Sequence, residues 1–189
     1  SIQAIQIIDS RGTPTVSCKV ILDNDIYATS MVPSGASTGS REALELRDGD
    51  STYMGKGVSK AIANIHEIIA PELVGMDVTN QQDIDEKMLA LDGTSSKEKL
   101  GANAVLGVSL AVLDAGSQTL ELPLYQYINQ VFADINGEKP MMQMPIPMLN
   151  IINGGEHADN NIDIQEFMIM PVGANNFSQA MQWATEIYS

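Results

Sequence analysis

The sequence predicts an α+β domain made of antiparallel strands and helices, followed by the beginning of an α/β unit. Three observations lead to this fold class. Residues 1–31 alternate short apolar runs with turns, residues 58–132 carry apolar side chains at helical spacing, and residues 145–189 follow a strand–strand–helix order. We expect residues 1–133 to form the first domain, residues 134–144 a linker, and residues 145–189 the start of the second domain.

The first 31 residues predict a three-stranded antiparallel meander. In the second strand the apolar residues Val16, Cys18 and Val20 alternate with polar ones, which is the two-residue period of a half-buried strand. The turn that follows is Asp23–Asp25. Cys18 is the only cysteine, so it can form no intrachain disulfide and no thiolate metal cluster. We interpret it as a small core residue and not as a reactive thiol.

Several helices are predicted after the strands. A short helical turn is expected over residues 41–50, and an amphipathic helix over residues 58–70, where Pro71 either ends the helix or begins the next turn. We interpret His66 on this helix as a solvent-facing side chain and not as a ligand. Thr79 and Gln82 have the spacing of a capping box for a helix that runs to about Leu91 and stops at Gly93.

The next predicted helix, residues 101–113, is apolar nearly all round and therefore belongs in the middle of the domain. Asn103 and Ser109 then need buried hydrogen-bond partners. A last short helix is expected over residues 123–132, with the apolar residues Leu124, Tyr127, Ile128 and Val131 on one side.

Composition narrows the classes of function. The chain has 189 residues, is 44% hydrophobic and carries a formal charge of −14, with 24 acidic and 10 basic residues. Such a surface disfavours sequence-independent binding to nucleic acid or anionic membranes and favours divalent cations. No apolar run reaches 18 residues, and the start of the sequence has no pattern of a secretory signal. We therefore expect a cytoplasmic protein without a membrane span.

Two segments are candidates for function. In residues 145–166, two apolar runs bracket a loop that contains Gly154, Gly155, Glu156, His157 and Asp159, and ionisable residues on a loop between rigid strands are typical of a site. The other segment is residues 32–40, rich in glycine and hydroxyl groups. It lacks the lysine of a P-loop, so it is either an ordinary flexible loop or a lid suited to phosphate or a hard metal ion.

Seven motifs resemble the enolase family, in a bacterial form, and they occur in order and at the family's spacings over essentially the whole chain. The motifs are Asp9–Thr15, Pro33–Gly39, Glu42–Gly49, Leu91–Thr94, Lys99–Asn103, Asn153–Ala158 and Gln165–Met168. The resemblance implies an α+β capping domain and a C-terminal TIM-like barrel that begins with two strands before its first helix. A barrel of this kind takes roughly 250 residues, so residues 145–189 hold an incomplete one.

The resemblance also implies a reaction. Enolases are glycolytic hydro-lyases that interconvert 2-phosphoglycerate and phosphoenolpyruvate plus water. In the general scheme for this superfamily, magnesium ions (Mg2+, two per site in enolases) offset the charge of the deprotonated substrate. A lysine is the base, and a glutamate is the acid that helps hydroxide to leave.

Four residues of this sequence match site positions of the family. Ser37 resembles the ligand to the second Mg2+, and His157 resembles the histidine that approaches the substrate phosphate. Gln165 and Glu166 resemble the pair at a strand end that contacts substrate and supports the acid. The alternative interpretations are a mobile surface loop, a solvated histidine and a solvated carboxylate.

The remaining catalytic groups implied by the family have no counterpart before Ser189. These are the base lysine, the principal acid glutamate, three carboxylate ligands and the arginine that binds phosphate. We therefore expect these 189 residues alone to lack enolase activity and to bind Mg2+ weakly at best. Two readings stay open: the amino-terminal part of an active enolase, or a non-catalytic enolase module that binds partners. A superfamily member acting on another carboxylate is disfavoured by the two loop motifs.

Partners and location follow from the same resemblance. It implies a homodimer or an octamer built from dimers, without direct nucleic-acid binding. It is also compatible with binding to partners in RNA-degrading assemblies or at the cell surface. A cytoplasmic enzyme with a surface fraction is the expected location.

Overall fold

The computed structural model describes residues 1–35 and 39–189, except for the side chain of Glu156. It separates into two compact units. The first comprises Ser1–Ser34 and Gly39–Pro140, and the second is built on Met141–Ser189. Each unit has its own sheet.

The first unit begins with a three-stranded antiparallel sheet. Its strands are β1 (Ile2–Ile8), β2 (Pro14–Ile21) and β3 (Tyr27–Met31), in the order β1-β2-β3. The register pairs Ala4 with Cys18 and Cys18 with Ser30 across the three strands. The predicted meander is therefore confirmed. Cys18 has no exposed surface, which confirms its interpretation as a core residue.

The rest of the first unit is mostly helical. Its helices are α1 (Ser59–Asn64), a π-helical turn (Ile65–Ile69), α2 (Ala70–Leu73), α3 (Gln81–Asp92), α4 (Ala102–Thr119) and α5 (Leu124–Asn136). α4 packs against β2 and β3. A Cβ atom at Gly107 of α4 would lie 3.2 Å from Val32 and 3.5 Å from Cys18, and the Ser30 hydroxyl donates to the Gly107 carbonyl at 2.6 Å. A small residue therefore lets the helix approach the sheet closely.

The helix predicted over residues 58–70 continues through Pro71 to Leu73. Pro71 lies in the first turn of α2, where its missing N–H is tolerated. This proline therefore begins a new turn and does not end the helix. His66 is exposed, as predicted, but its ring is not merely solvated. Its Nε2 atom accepts a hydrogen bond from the backbone N–H of Ala4 at 2.9 Å.

The short helix predicted over residues 41–50 is wrong. After a turn at residues 40–42 the backbone is irregular, and its polar groups bind distant partners. Leu44 N–H donates to the Ser96 carbonyl at 2.7 Å, and Asn103 bonds both the N–H and the carbonyl of Leu46, at 3.1 and 3.0 Å. Those bonds also confirm that Asn103, which is 2% exposed, has buried partners.

Helix ends differ from their predictions in three places. The N-terminal cap of α3 is Asn80, whose side chain accepts a hydrogen bond from Asp83 N–H. Thr79 was the predicted cap, but its hydroxyl donates to Asp77 instead. Its predicted end at Gly93 is confirmed by a left-handed φ of 71°. α4 continues to Thr119 and α5 to Asn136, beyond the predicted ends, because their last turns keep helical hydrogen bonds despite polar sequence.

The predicted apolar side of α5 is only partly buried. Tyr127 is 1% exposed, and its hydroxyl donates to the Thr79 carbonyl at 3.0 Å. Leu124 and Ile128, on the same side of the helix, are 40% and 46% exposed.

The second unit contains β4 (Leu149–Asn153), β5 (Glu166–Ile169) and α6 (Phe177–Tyr188). β4 and β5 form an antiparallel hairpin, so the predicted strand–strand–helix order is confirmed, with strands shorter than expected. Two strands and one helix are fewer elements than a closed barrel contains. On α6, Ala180 and Ala184 are buried, whereas Met181 and Ile187 are 38% and 57% exposed.

Within the described residues, no single helix combines the length and the apolar character needed to cross a membrane. α4 and α5 satisfy both criteria only as a pair, and the chain bends by 105° between them.

Candidate functional site

The β4–β5 hairpin carries the loop that the sequence marks as a site. The loop is closed by two backbone hydrogen bonds: Gly154 N–H donates to the Gln165 carbonyl at 2.9 Å, and Gly155 N–H donates to the Ile162 carbonyl at 2.8 Å. A Cβ atom at Gly154 would collide with the carbonyl of Ile162 and would lie 2.5 Å from that of Ile164. Glycine is therefore required here by close backbone approach.

Three of the four predicted site residues meet at the end of this hairpin. His157 Nδ1 lies 2.9 Å from Glu166 Oε1, and His157 Nε2 lies 2.9 Å from Gln165 Nε2. The side chains of His157 and Glu166 are 25% and 29% exposed. Both ring nitrogens of His157 are thus engaged, and solvent still reaches the group.

The hydrogen bonds around His157 are satisfied by one neutral tautomer. With the proton on Nδ1, the ring donates to the Glu166 carboxylate, and its Nε2 lone pair accepts from the Gln165 amide. A carboxylate on one ring nitrogen fixes the tautomer and the orientation of the imidazole. The arrangement can hold or pass on a proton, and, when protonated, His157 can attract an anion.

Sequence reasoning missed the asparagines that shape this loop. Asn160 donates from Nδ2 to the Asn153 carbonyl at 2.9 Å and accepts from Ile162 N–H through Oδ1 at 2.9 Å. Asn150 Nδ2 donates to Asn153 Oδ1 at 2.6 Å. Asparagine often bonds nearby backbone in turns, so the Asn160-Asn161 pair was the available signal.

Magnesium binding by the described residues is not supported by their geometry. Across residues 1–35 and 39–189, with the side chain of Glu156 left out, no three His, Cys, Asp or Glu side chains form a group that could hold a metal ion. A tight Mg2+ site needs oxygen ligands in near-octahedral order. Ser37, the fourth predicted site residue, lies outside the described residues, so its role as a ligand stays a prediction.

Comparison with protein-family models agrees with both units. The model described as enolase, N-terminal domain, matches residues 1–128, and the model described as enolase, C-terminal TIM barrel domain, matches residues 141–189. The first match covers more than half of the chain and contains the meander with its helices, and the second contains the hairpin that carries His157 and Glu166. On these matches, the chain belongs to the enolase family.

Proposed function

We propose that this chain provides part of the active site for the reversible dehydration of 2-phosphoglycerate to phosphoenolpyruvate. The observation that carries the proposal is the hairpin cluster, in which His157 lies within hydrogen-bonding distance of both Gln165 and Glu166. These residues are separated by up to nine positions, and the β4–β5 pairing brings them together.

Each side chain has a proposed role that its contacts support. His157, held by Glu166, approaches the phosphate of the substrate, where a protonated ring would add positive charge. Gln165 fixes the rotation of that ring and offers amide groups to the substrate. Glu166 orients His157 and supports the acid that assists the loss of hydroxide.

Members of the enolase family generally depend on Mg2+, which supplies charge that offsets the deprotonated substrate. Ser37 is the residue of this chain that we propose as a ligand. The base lysine, the principal acid glutamate and the carboxylate ligands are proposed to lie in sequence that follows residue 189. An intact-mass measurement on the source protein tests this part: a mass well above 20.3 kDa supports it. A mass of that value would favour the non-catalytic interaction module instead.

The site assignment is tested in the source protein by replacing His157 with Ala and Glu166 with Gln. Because positioned acid–base groups contribute about 10²- to 10⁴-fold to rate, each change should lower kcat/KM for 2-phosphoglycerate by at least about 100-fold. Asp159→Asn, on the same loop, is the matched control and should retain activity. Unchanged kcat/KM in both site variants would rule out these roles.

The purified 189-residue chain should show no turnover of 2-phosphoglycerate. The physical reason is that its described residues present no group of three His, Cys, Asp or Glu side chains that could hold a metal ion, and the family resemblance assigns no residue of this chain to the base. Continuous detection of phosphoenolpyruvate, with and without Mg2+, measures this. Turnover by the pure chain would refute the proposal that essential groups lie elsewhere.

We also propose that the protein forms a homodimer or a larger assembly of dimers and that it is located in the cytoplasm. The family resemblance supports it, and sedimentation of the source protein measures the assembly state.

A further inference from the structure

One side chain, that of Asn160, closes the segment that carries His157. Asn160 Nδ2 donates to the carbonyl of Asn153, at the end of β4, over 2.9 Å. This bond joins residues that are seven positions apart, and His157 lies between them. The backbone from Asn153 to Asn160 is therefore a closed loop whose two ends are held together.

The same side chain also reaches the backbone on the far side of the loop. Asn160 Oδ1 accepts from the N–H of Ile162 at 2.9 Å, and the Ile162 carbonyl accepts from Gly155 N–H at 2.8 Å. Gly155 begins the short helical turn that ends at His157. Asn160 thus connects the chain before the histidine, at Asn153, with the chain after it, at Ile162.

These bonds restrict the loop more than they stabilise the fold. Asn160 is exposed, so water can replace its partners, and such a hydrogen bond contributes little to the free energy of unfolding. An asparagine side chain nevertheless offers a donor and an acceptor on one short, planar amide, and both are used here. Their effect is to fix where the backbone of His157 lies relative to the two strands.

The ring of His157 depends on that placement. Its Nδ1 and Nε2 atoms each lie 2.9 Å from a side chain at or next to the start of β5, those of Glu166 and Gln165. If the loop moved, both contacts would be lost together. A ligand that requires one conformation of a loop binds more weakly in proportion to the fraction of molecules that have it.

We propose that Asn160 is a positioning residue of the candidate active site: it holds the loop in the conformation in which His157 meets Gln165 and Glu166. Asn160 acts through His157 and needs no contact with the substrate. The inference rests on the proposed function, because its consequence for activity requires that His157 binds the phosphate of the substrate.

In the source protein, Asn160→Ala should raise KM for 2-phosphoglycerate about tenfold and change kcat less than about twofold, because bound substrate keeps the loop in place. Asn161→Ala is the matched control: this exposed neighbour takes no part in the two bonds, so both constants should stay unchanged. In a His157→Ala background, Asn160→Ala should have no further effect, since the two residues act as a unit. An equal effect in both backgrounds would overturn the proposal.

The imidazole NMR shifts of His157 in the same protein separate this inference from the proposed function. Asn160→Ala should alter them and should speed amide exchange at Gly155, whereas Asn161→Ala should do neither. Unchanged ring shifts in Asn160→Ala would overturn the positioning role whatever the activity. If the ring shifts change but His157→Ala leaves kcat/KM unaltered, the proposed function fails and Asn160 still positions the ring.

Discussion

Cys18 shows how burial controls the chemistry of one side chain. The thiol has no exposed surface in β2, and burial raises its pKa from 9.0 to about 12. A shift of this size lowers the thiolate fraction at neutral pH by about 1,000-fold, and the thiolate is the reactive form. We expect labelling by an aromatic disulfide reagent to be very slow in the native chain. In urea the same thiol should react at an ordinary rate, and rapid native labelling would contradict the assignment.

Single residues also show what sequence patterns contain and what they omit. The burial of Cys18 and the need of Asn103 for partners follow from alternation and from an apolar helix, which are local patterns. The bond between His66 and Ala4 joins residues 62 positions apart, and nothing in the sequence around either residue indicates it. The local pattern around His157 and Glu166 does not indicate their roles at a site either; those roles were predicted from the family motifs.

At the scale of elements, the start of α1 depends on a distant aspartate. The Asp48 carboxylate is 9% exposed and accepts from Ser59 N–H and Lys60 N–H, both at 2.9 Å, and from the Ser59 hydroxyl at 2.8 Å. Asp48→Ala would remove this cap with its three hydrogen bonds to a charged acceptor, so it should lower the free energy of unfolding by about 2 kcal/mol in urea titrations. The exposed Asp23→Ala is the control, with a change near zero. Equal effects would contradict the cap.

The same carboxylate should make stability depend on pH. Burial raises the pKa of Asp48, but hydrogen bonds from Lys60 and Ser59 outweigh it and hold the pKa below 3.8. A pKa lower in the folded state means that the stabilisation is complete above the ordinary value and is lost as pH falls through the folded value. The difference between Asp48→Asn and the unaltered chain in urea unfolding should therefore shrink in strong acid. A constant difference would exclude ionised Asp48 as its source.

The hairpin loop offers a second test at this scale. Gly154→Ala would place a Cβ against the carbonyls of Ile162 and Ile164, so the bonds that close the loop should break. We expect faster amide exchange at Gly155 and altered imidazole NMR shifts at His157. Gly173→Ala is the matched control in the same unit, because a Cβ there meets only Trp183, at 3.9 Å. Normal His157 shifts in Gly154→Ala would show that the loop tolerates the side chain.

Whether a segment is a helix or a strand was easier to predict from the sequence than the residues at which it begins and ends. Strand alternation and helical spacing correctly predicted the meander and the central helix α4. The helix expected over residues 41–50 failed because Leu44 and Leu46 bond to Ser96 and Asn103, partners that a local pattern does not contain. Likewise, Asn80 replaced Thr79 as a cap because Asp77 engages the Thr79 hydroxyl.

For the whole molecule, burial is distributed unevenly between the two units. Val108 has no exposed surface, and the helix around it lies in the core of the first unit. Among the described residues of 141–189, only Gly154, Ala180 and Ala184 are buried. Local stability follows such burial. Hydrogen exchange of the chain should therefore be slower for amides of residues 105–112 than for those of residues 164–170. Equal protection would contradict this ranking.

The bond between His66 and Ala4 also bears on aggregation. β1 is an edge strand of its sheet, and free N–H groups on an edge can pair with a strand from another molecule. His66 covers one such group near the middle of β1. A strand from another molecule could not use this N–H without displacing the imidazole. The same side chain therefore blocks one position of the edge against intermolecular strand pairing.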